Sequence, residues 1–301
     1  MQQELQLVEV GPRDGLQNEP DNVDAATRVE LIVRLIDAGA RRIEVASFVD
    51  PRRVPQMAEV DAVIAKLPDR PDVSYIGMCL NVRGVERALA TRDHGRRGID
   101  EAGCVLIASD TFGSRNQGQV ITEGLVANRA MLGEAARGGL VPQVTIAAAF
   151  GCPFEGDVPP TRVVDLARHL VDAGAVEIAL ADTIGAGVPA QVTDLFGRVA
   201  AAIPGIRLRG HFHDTRGTGI ANAWAAYQAG VQVLDASVGG LGGCPFARNA
   251  TGNIATEDLL YLLDHSGVAT GVDLAATIGI NRWLAGRLGR ELPSRVGRVA
   301  A

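Results

Sequence analysis

The chain has 301 residues, 47% of them hydrophobic and 21% charged, with a formal net charge of −6. That balance suits a globular protein with a large core, and the lack of a basic block argues against nucleic acid as a partner. No apolar stretch approaches the roughly 18 residues that span a bilayer. The first ten residues lack a secretory pattern, and the four cysteines include no C-x-x-C pair, so a soluble, cytoplasmic protein with no membrane partner is expected.

Short β-branched runs alternate with longer amphipathic ones along the chain. The strand-like runs fall at 5–10, 42–47, 73–80, 101–108, 141–148, 176–181, 206–213 and 231–237. Helical spacing follows each; over 25–38 it places Val29, Ile32, Leu35 and Ile36 on one stripe. Gly39 and Gly174 stand where helices should stop before the next strand. Eight strand–helix units imply a parallel sheet, and eight is the number that closes into a barrel. An open doubly wound sheet would usually carry a G-x-G-x-x-G loop after its first strand, and here the sequence runs into Gly11-Pro12-Arg13-Asp14-Gly15. The expected fold is therefore a single α/β (β/α)8 TIM barrel over residues 1–301. Its C-terminal helical extension, about 268–301, is expected to include a helix near 274–288.

In such a barrel the chemistry sits where strands end. Arg13 and Asp14 follow the first run, Glu44 and Ser47 close the second, and Ser109 and Asp110 follow the fourth. Asp182 and Thr183 follow the sixth, and His211, His213 and Asp214 end the seventh. His211 and His213 are two apart, so a strand turns both imidazoles to one face. With Asp14 as a carboxylate ligand and Asn253 as a carbonyl donor, they suit a divalent cation such as Mg2+ or Mn2+. Arg209 shares their parity. A regular strand would bury it in the barrel, so a later strand start or a bulge is expected.

The only lysine is Lys66, at the expected end of the second helix and away from the catalytic loops. A Schiff-base aldolase needs a lysine inside the barrel, and a P-loop needs G-K-[ST]; both classes are set aside. A metal and arginine must then stabilise any carbanion or alkoxide. After the eighth run comes Gly239-Gly240-Leu241-Gly242-Gly243-Cys244-Pro245. Four glycines in five residues are entropically expensive to order, as a closing active-site loop would be. Its thiol, Cys244, is placed to act as a proton donor.

These stretches together resemble the 3-hydroxy-3-methylglutaryl-CoA lyase family: VEVGPRDGLQNE at 8–19, IEVASFV at 43–49, GCPFEG at 151–156, ADTIG at 181–185, HFHDT at 211–215, and the glycine loop followed by ATGNIATEDL at 250–259. The resemblance implies retro-Claisen cleavage of an acyl-CoA substrate into acetyl-CoA and acetoacetate, and a homodimer. It implies Asp14, His211, His213 and Asn253 as metal ligands, Arg13 as the group facing the enolate oxygen, and Cys244 as the loop acid. His211 or Asp14 would be the base. Glu44 and Asp182 would line the site, with Gln17, Ser47 and Thr183 touching or supporting the substrate. Pro20, Phe154 and Arg216 depart from the family's usual lysine, tyrosine and Thr-Tyr-Gly-Gln pattern, and Phe154 and Arg216 are expected to bear on acyl specificity. A related lyase acting on citramalyl-CoA or a longer branched homologue, a condensing synthase and a non-catalytic barrel are the alternatives.

Overall fold

The computed structural model describes residues 5–20, 22–243 and 252–299. Its strands are β1 (Gln6–Glu9), β2 (Arg42–Ser47), β3 (Ser74–Cys79), β4 (Glu101–Ile107), β5 (Val141–Ala147), β6 (Glu177–Asp182), β7 (Arg207–Phe212) and β8 (Val233–Ala236). They lie in chain order, all parallel, and β1 pairs with β8 to close a barrel. The expected (β/α)8 fold is thus the observed one, with strand limits within about two residues of those read from periodicity.

Around the barrel lie α1 (Ala25–Asp37), α2 (Val60–Ile64), α3 (Val82–Ala90), α4 (Asp110–Asn116), α5 (Ile121–Arg137), α6 (Pro160–Asp172), α7 (Pro189–Ala202), α8 (Gly219–Gln228) and α9 (Thr256–His265). Polar caps start several of them: Asp24 accepts from the Thr27 N–H at 2.7 Å and Asn81 from Gly84 at 2.9 Å. Gly39 and Gly174 close α1 and α6 at φ of +106° and +105°. The main hydrophobic core fills the space between helices and strands, and a smaller cluster of Val8, Val10, Ile76 and Val233 lies apart from it. Lys66 lies between α2 and β3, at the barrel's far end from the strand C-termini. No described helix is long and apolar enough to cross a membrane.

The C-terminal extension contains α10 (Leu274–Leu288), where expected, and a further short helix, α11 (Arg295–Val299). The segment joining them straps three loops at the catalytic end. Arg290 pairs with Glu19 at 2.6 Å, Arg295 with Asp214 at 3.1 Å, and the Ser294 N–H donates to the Gly239 carbonyl at 2.9 Å.

Charge fills the lower barrel interior, where apolar side chains would be usual. Arg42 on β2 reaches across the lumen to Glu101 on β4 and Glu177 on β6, at 2.5 and 2.7 Å, and Gln143 donates to Glu101 at 2.8 Å. Arg209 continues the series upward, contacting Glu177 at 3.3 Å and Asp235 at 3.5 Å. This corrects the expectation of a late start or a bulge in β7. The strand is regular through Arg209, and the guanidinium stays inside because two carboxylates neutralise it.

Removing one member of a buried ion cluster strands the others. Arg42→Met should lower unfolding free energy by about 3–5 kcal/mol, read by urea denaturation. Adding Glu101→Gln and Glu177→Gln should recover much of that loss; no recovery would show that Arg42 acts by packing rather than charge.

Candidate active site

Every strand, or the loop after it, delivers at least one residue to a common cavity of about 200 Å³. That volume accepts a branched acyl group but not a whole CoA, whose bulk must lie outside. After β1 the chain makes a short π-helical turn, Gly11–Gly15, of the kind that interrupts regular structure at functional sites. The turn carries Arg13 and Asp14 to the mouth. On β2 the register with β3 shifts between Glu44 and Ala46, an irregularity at the residue facing Arg13. β7 and the residue after it present His211 and His213 on one face, with ring centroids 5.2 Å apart.

Arg13 is held by two carboxylates, Asp14 at 2.7 Å and Glu44 at 2.5 Å. Its buried Nε has no hydrogen-bond partner among the described residues, leaving a charged donor to offer a substrate oxygen. Burial raises the Asp14 carboxyl, but Arg13, both imidazoles and the Asn253 amide outweigh it and hold it at about 2. Burial and the neighbouring His211 push His213 down to about 4, so its ring is neutral and able to ligate. For His211, burial is outweighed by the Asp235 carboxylate, which accepts from Nδ1 at 3.0 Å and moves the imidazole upward. Burial raises Glu44 despite Arg13.

Ligand atoms of Asp14, His211 and His213 lie within 4.8 Å of one another. His213 Nδ1 is buried without a partner among the described residues. The barrel interior and mouth also carry more negative than positive charge. Arg13, Arg42 and Arg209 face Asp14, Glu44, Glu101, Glu177 and Asp235, an excess of two negative charges among the described residues when all are ionised. The donor set and the charge deficit both fit a divalent cation.

Asn253 lies beside the cluster, but it turns its amide nitrogen there and not the carbonyl oxygen expected of a ligand: the N–H donates to Asp14 at 2.7 Å and to the Leu241 carbonyl at 3.1 Å. Gly242 permits this approach, since a Cβ there would meet the Asn253 amide nitrogen at 2.6 Å, and its φ is +129°. Gln17 lines the cavity, with a buried Oε1 lacking a partner among the described residues. Thr183 lines it too, and its hydroxyl accepts from the Ala148 N–H at 2.9 Å. Ala148 needs that support, being held at a φ of +57° that a non-glycine residue rarely adopts.

Two residues stand elsewhere. Ala179 and Ala181 share the lumen-facing parity of β6, so Asp182 points away and its two oxygens accept from the Ala186 and Gly187 N–H groups at 2.8 and 2.9 Å. Ser47 is buried outside the cavity wall, beyond the β2 irregularity. Cys244 lies outside the described residues; Gly243 before it lines the cavity, and its carbonyl accepts from Asn18 at 3.0 Å. Arg216 is not in the wall either: it donates to the Ile184 and Gly185 carbonyls at 2.7 and 3.0 Å, tying two loops together. Phe154 bears on the cavity through Phe112, which it meets edge-on at 5.9 Å. Sequence reasoning missed Asp235. The signal was present: a carboxylate two residues after Val233, mid-strand in an apolar run.

The HMGL-like family model matches residues 4–283. The chain is 46% identical to (R)-citramalyl-CoA lyase of Chloroflexus aurantiacus, covering 97% of this chain and 94% of that one. It is 43% identical to hydroxymethylglutaryl-CoA lyase of Pseudomonas mevalonii, covering 99% and 97%. The crystal structure of hydroxymethylglutaryl-CoA lyase from Pseudomonas aeruginosa superposes with a TM-score of 0.94 at 40% identity, covering 100% of this chain and 98% of that chain.

Beneath the cluster, two further carboxyls brace the loops that carry it. Glu9 accepts from the Gly11 and Val238 N–H groups and the Thr256 hydroxyl, at 2.8, 3.0 and 2.7 Å. Glu257 accepts from the Gly239 N–H at 3.0 Å. Burial raises them to about 7 and about 8 respectively. Between the ordinary value of 4.5 and about 8, the folded chain keeps a Glu257 proton that the unfolded chain releases. That contribution to stability is complete below the ordinary value and is lost as pH rises through about 8. Thermal melts at about pH 5 and pH 8 should therefore show a smaller drop in Tm for Glu257→Gln than for the parent chain; equal drops would contradict the assignment.

Proposed function

The chain belongs to the HMGL-like family and is a carbon–carbon lyase that cleaves a hydroxyacyl-CoA; from that premise we propose that it converts 3-hydroxy-3-methylglutaryl-CoA to acetyl-CoA and acetoacetate. The observation that carries this reading is the unpartnered, buried Arg13 Nε beside the Asp14–His211–His213 cluster. One end of a substrate needs an anion stabilised and the other a hydroxyl acidified, and the two groups are adjacent.

Asp14, His211 and His213, with the Asn253 amide alongside, would hold Mg2+ or Mn2+, which supplies Lewis-acid charge to acidify the tertiary hydroxyl. Asp14, beside the ion site, is the proposed base. Asp235 occupies the Nδ1 side of His211, so its other ring nitrogen faces the cavity and is the one that would ligate the ion. As the hydroxyl loses its proton, its electrons form the ketone of acetoacetate and the C2–C3 bond breaks. The bonding pair passes to the thioester as an enolate. Arg13, fixed in advance by Asp14 and Glu44, meets that charge without reorganising. Cys244, the residue after cavity-lining Gly243, is the proposed donor of the proton that completes acetyl-CoA. Gln17 and Thr183 contact the acyl group, while Ser47 and Asp182 support the walls.

A second reading is favoured by the 46% identity to a citramalyl-CoA lyase. The chemistry is the same, with pyruvate as the departing ketone in place of acetoacetate.

The test is acetyl-CoA release from both thioesters with Mg2+, Mn2+ or EDTA, with the second product identified. Metal-dependent acetoacetate formation is expected. Arg13→Gln should lose on the order of 10²–10³ in kcat, and Cys244→Ser should also be impaired. Pyruvate formation alone would select the second reading, and cleavage of neither would contradict both.

A further inference from the structure

We propose that Arg209 is a positioning residue for His211, acting through Asp235. It would fix the plane of the Asp235 carboxylate and thereby the tautomer and direction of the imidazole that helps hold the metal. This rests on the metal site proposed above.

Arg209 and His211 lie two apart on the same face of β7, and Asp235 on neighbouring β8 stands between their side chains. One Asp235 oxygen takes His211 Nδ1 at 3.0 Å. The other has no hydrogen bond among the described residues and faces Arg209 Nη1 at 3.5 Å. The carboxylate thus has a hydrogen bond at one oxygen and a charge contact at the other. Arg209 is placed in turn by a hydrogen bond from Nη2 to the Thr145 hydroxyl at 3.3 Å and by the charge of Glu177, which approaches Nε to 3.3 Å without a hydrogen bond. All three charged groups are at most 5% exposed, so no water competes strongly for them.

A carboxylate accepting at Nδ1 keeps the proton there and leaves the second ring nitrogen as a lone-pair donor, the form a metal needs. Without Arg209, one Asp235 oxygen would face an uncompensated low-dielectric interior. The carboxylate would turn toward another donor and release the ring. Arg209 also lines the cavity floor, so the competing role is an anchor for a substrate carboxylate. Its charge is already shared between Glu177 and Asp235, which favours the positioning role.

The two roles separate in a measurement without substrate. Mn2+ binding to metal-free protein would be followed by calorimetry for the parent chain, Asp235→Asn, Arg209→Lys, and Arg209→Gln combined with Glu177→Gln to keep the interior charge balanced. Metal-free melting temperatures would confirm folding. Asp235→Asn and the double variant should each weaken Mn2+ binding about 10–100-fold. Their kcat at saturating metal should fall while KM for the thioester stays near that of the parent. Arg209→Lys should lie between, since it keeps the charge and loses the fork, and it keeps the question open to test if the double variant does not fold. Unchanged Mn2+ affinity with a raised KM would make Arg209 a substrate anchor and overturn the proposal. Failure of the parent chain to bind Mn2+ would instead overturn the metal site itself.

Discussion

A column of alternating charge along the barrel axis is the constraint on which the rest depends. Arg42, Glu101, Glu177, Arg209 and Asp235 are all buried, and each would be strongly destabilising alone. They are tolerated because each contacts an opposite charge, from Arg42 at the base to Asp235 beneath His211. The column ends at the mouth with an excess of negative charge, beside two imidazoles and Asp14. A site that attracts a cation is thus a property of the whole interior as well as of its nearest ligands.

A second constraint acts from outside the barrel. Glu9 and Glu257 hold the backbone at Gly11, Val238 and Gly239, and the segment between α10 and α11 ties Glu19, Asp214 and Gly239 to the C-terminal extension. The loops bearing Arg13, Asp14 and the residues before Cys244 are therefore fixed at their bases. Burial raises both carboxyls toward neutral pH, and Glu257, at about 8, keeps its proton there for the most part.

Much of this was legible in the sequence because it rests on local periodicity. The β-branched runs mark the strands, the spacing of His211 and His213 places both on one face, and the position of Lys66 assigns it to the far end of the barrel. The missing parts are those where a distant residue overrides the local pattern. Arg209 suggested a broken strand because its partners, Glu177 and Asp235, come from other strands. Asp182 looked like a site residue by its place at a strand end, but one-residue parity turned it to the loop amides. The π-helical turn that brings Arg13 beside Glu44 has no signature beyond Gly-Pro, and α11 was too short to show a helical period. Arg216 and Phe154 differ from the family pattern visibly, yet act through loop carbonyls and Phe112 rather than on the cavity directly.

The most direct test of the central claim is anomalous diffraction from crystals grown with Mn2+. The charge column and donor set require one strong peak at the barrel mouth, about 2 Å from ligand atoms of Asp14, His211 and His213. A mouth left empty at saturating Mn2+, or a peak bound elsewhere on the chain, would contradict it.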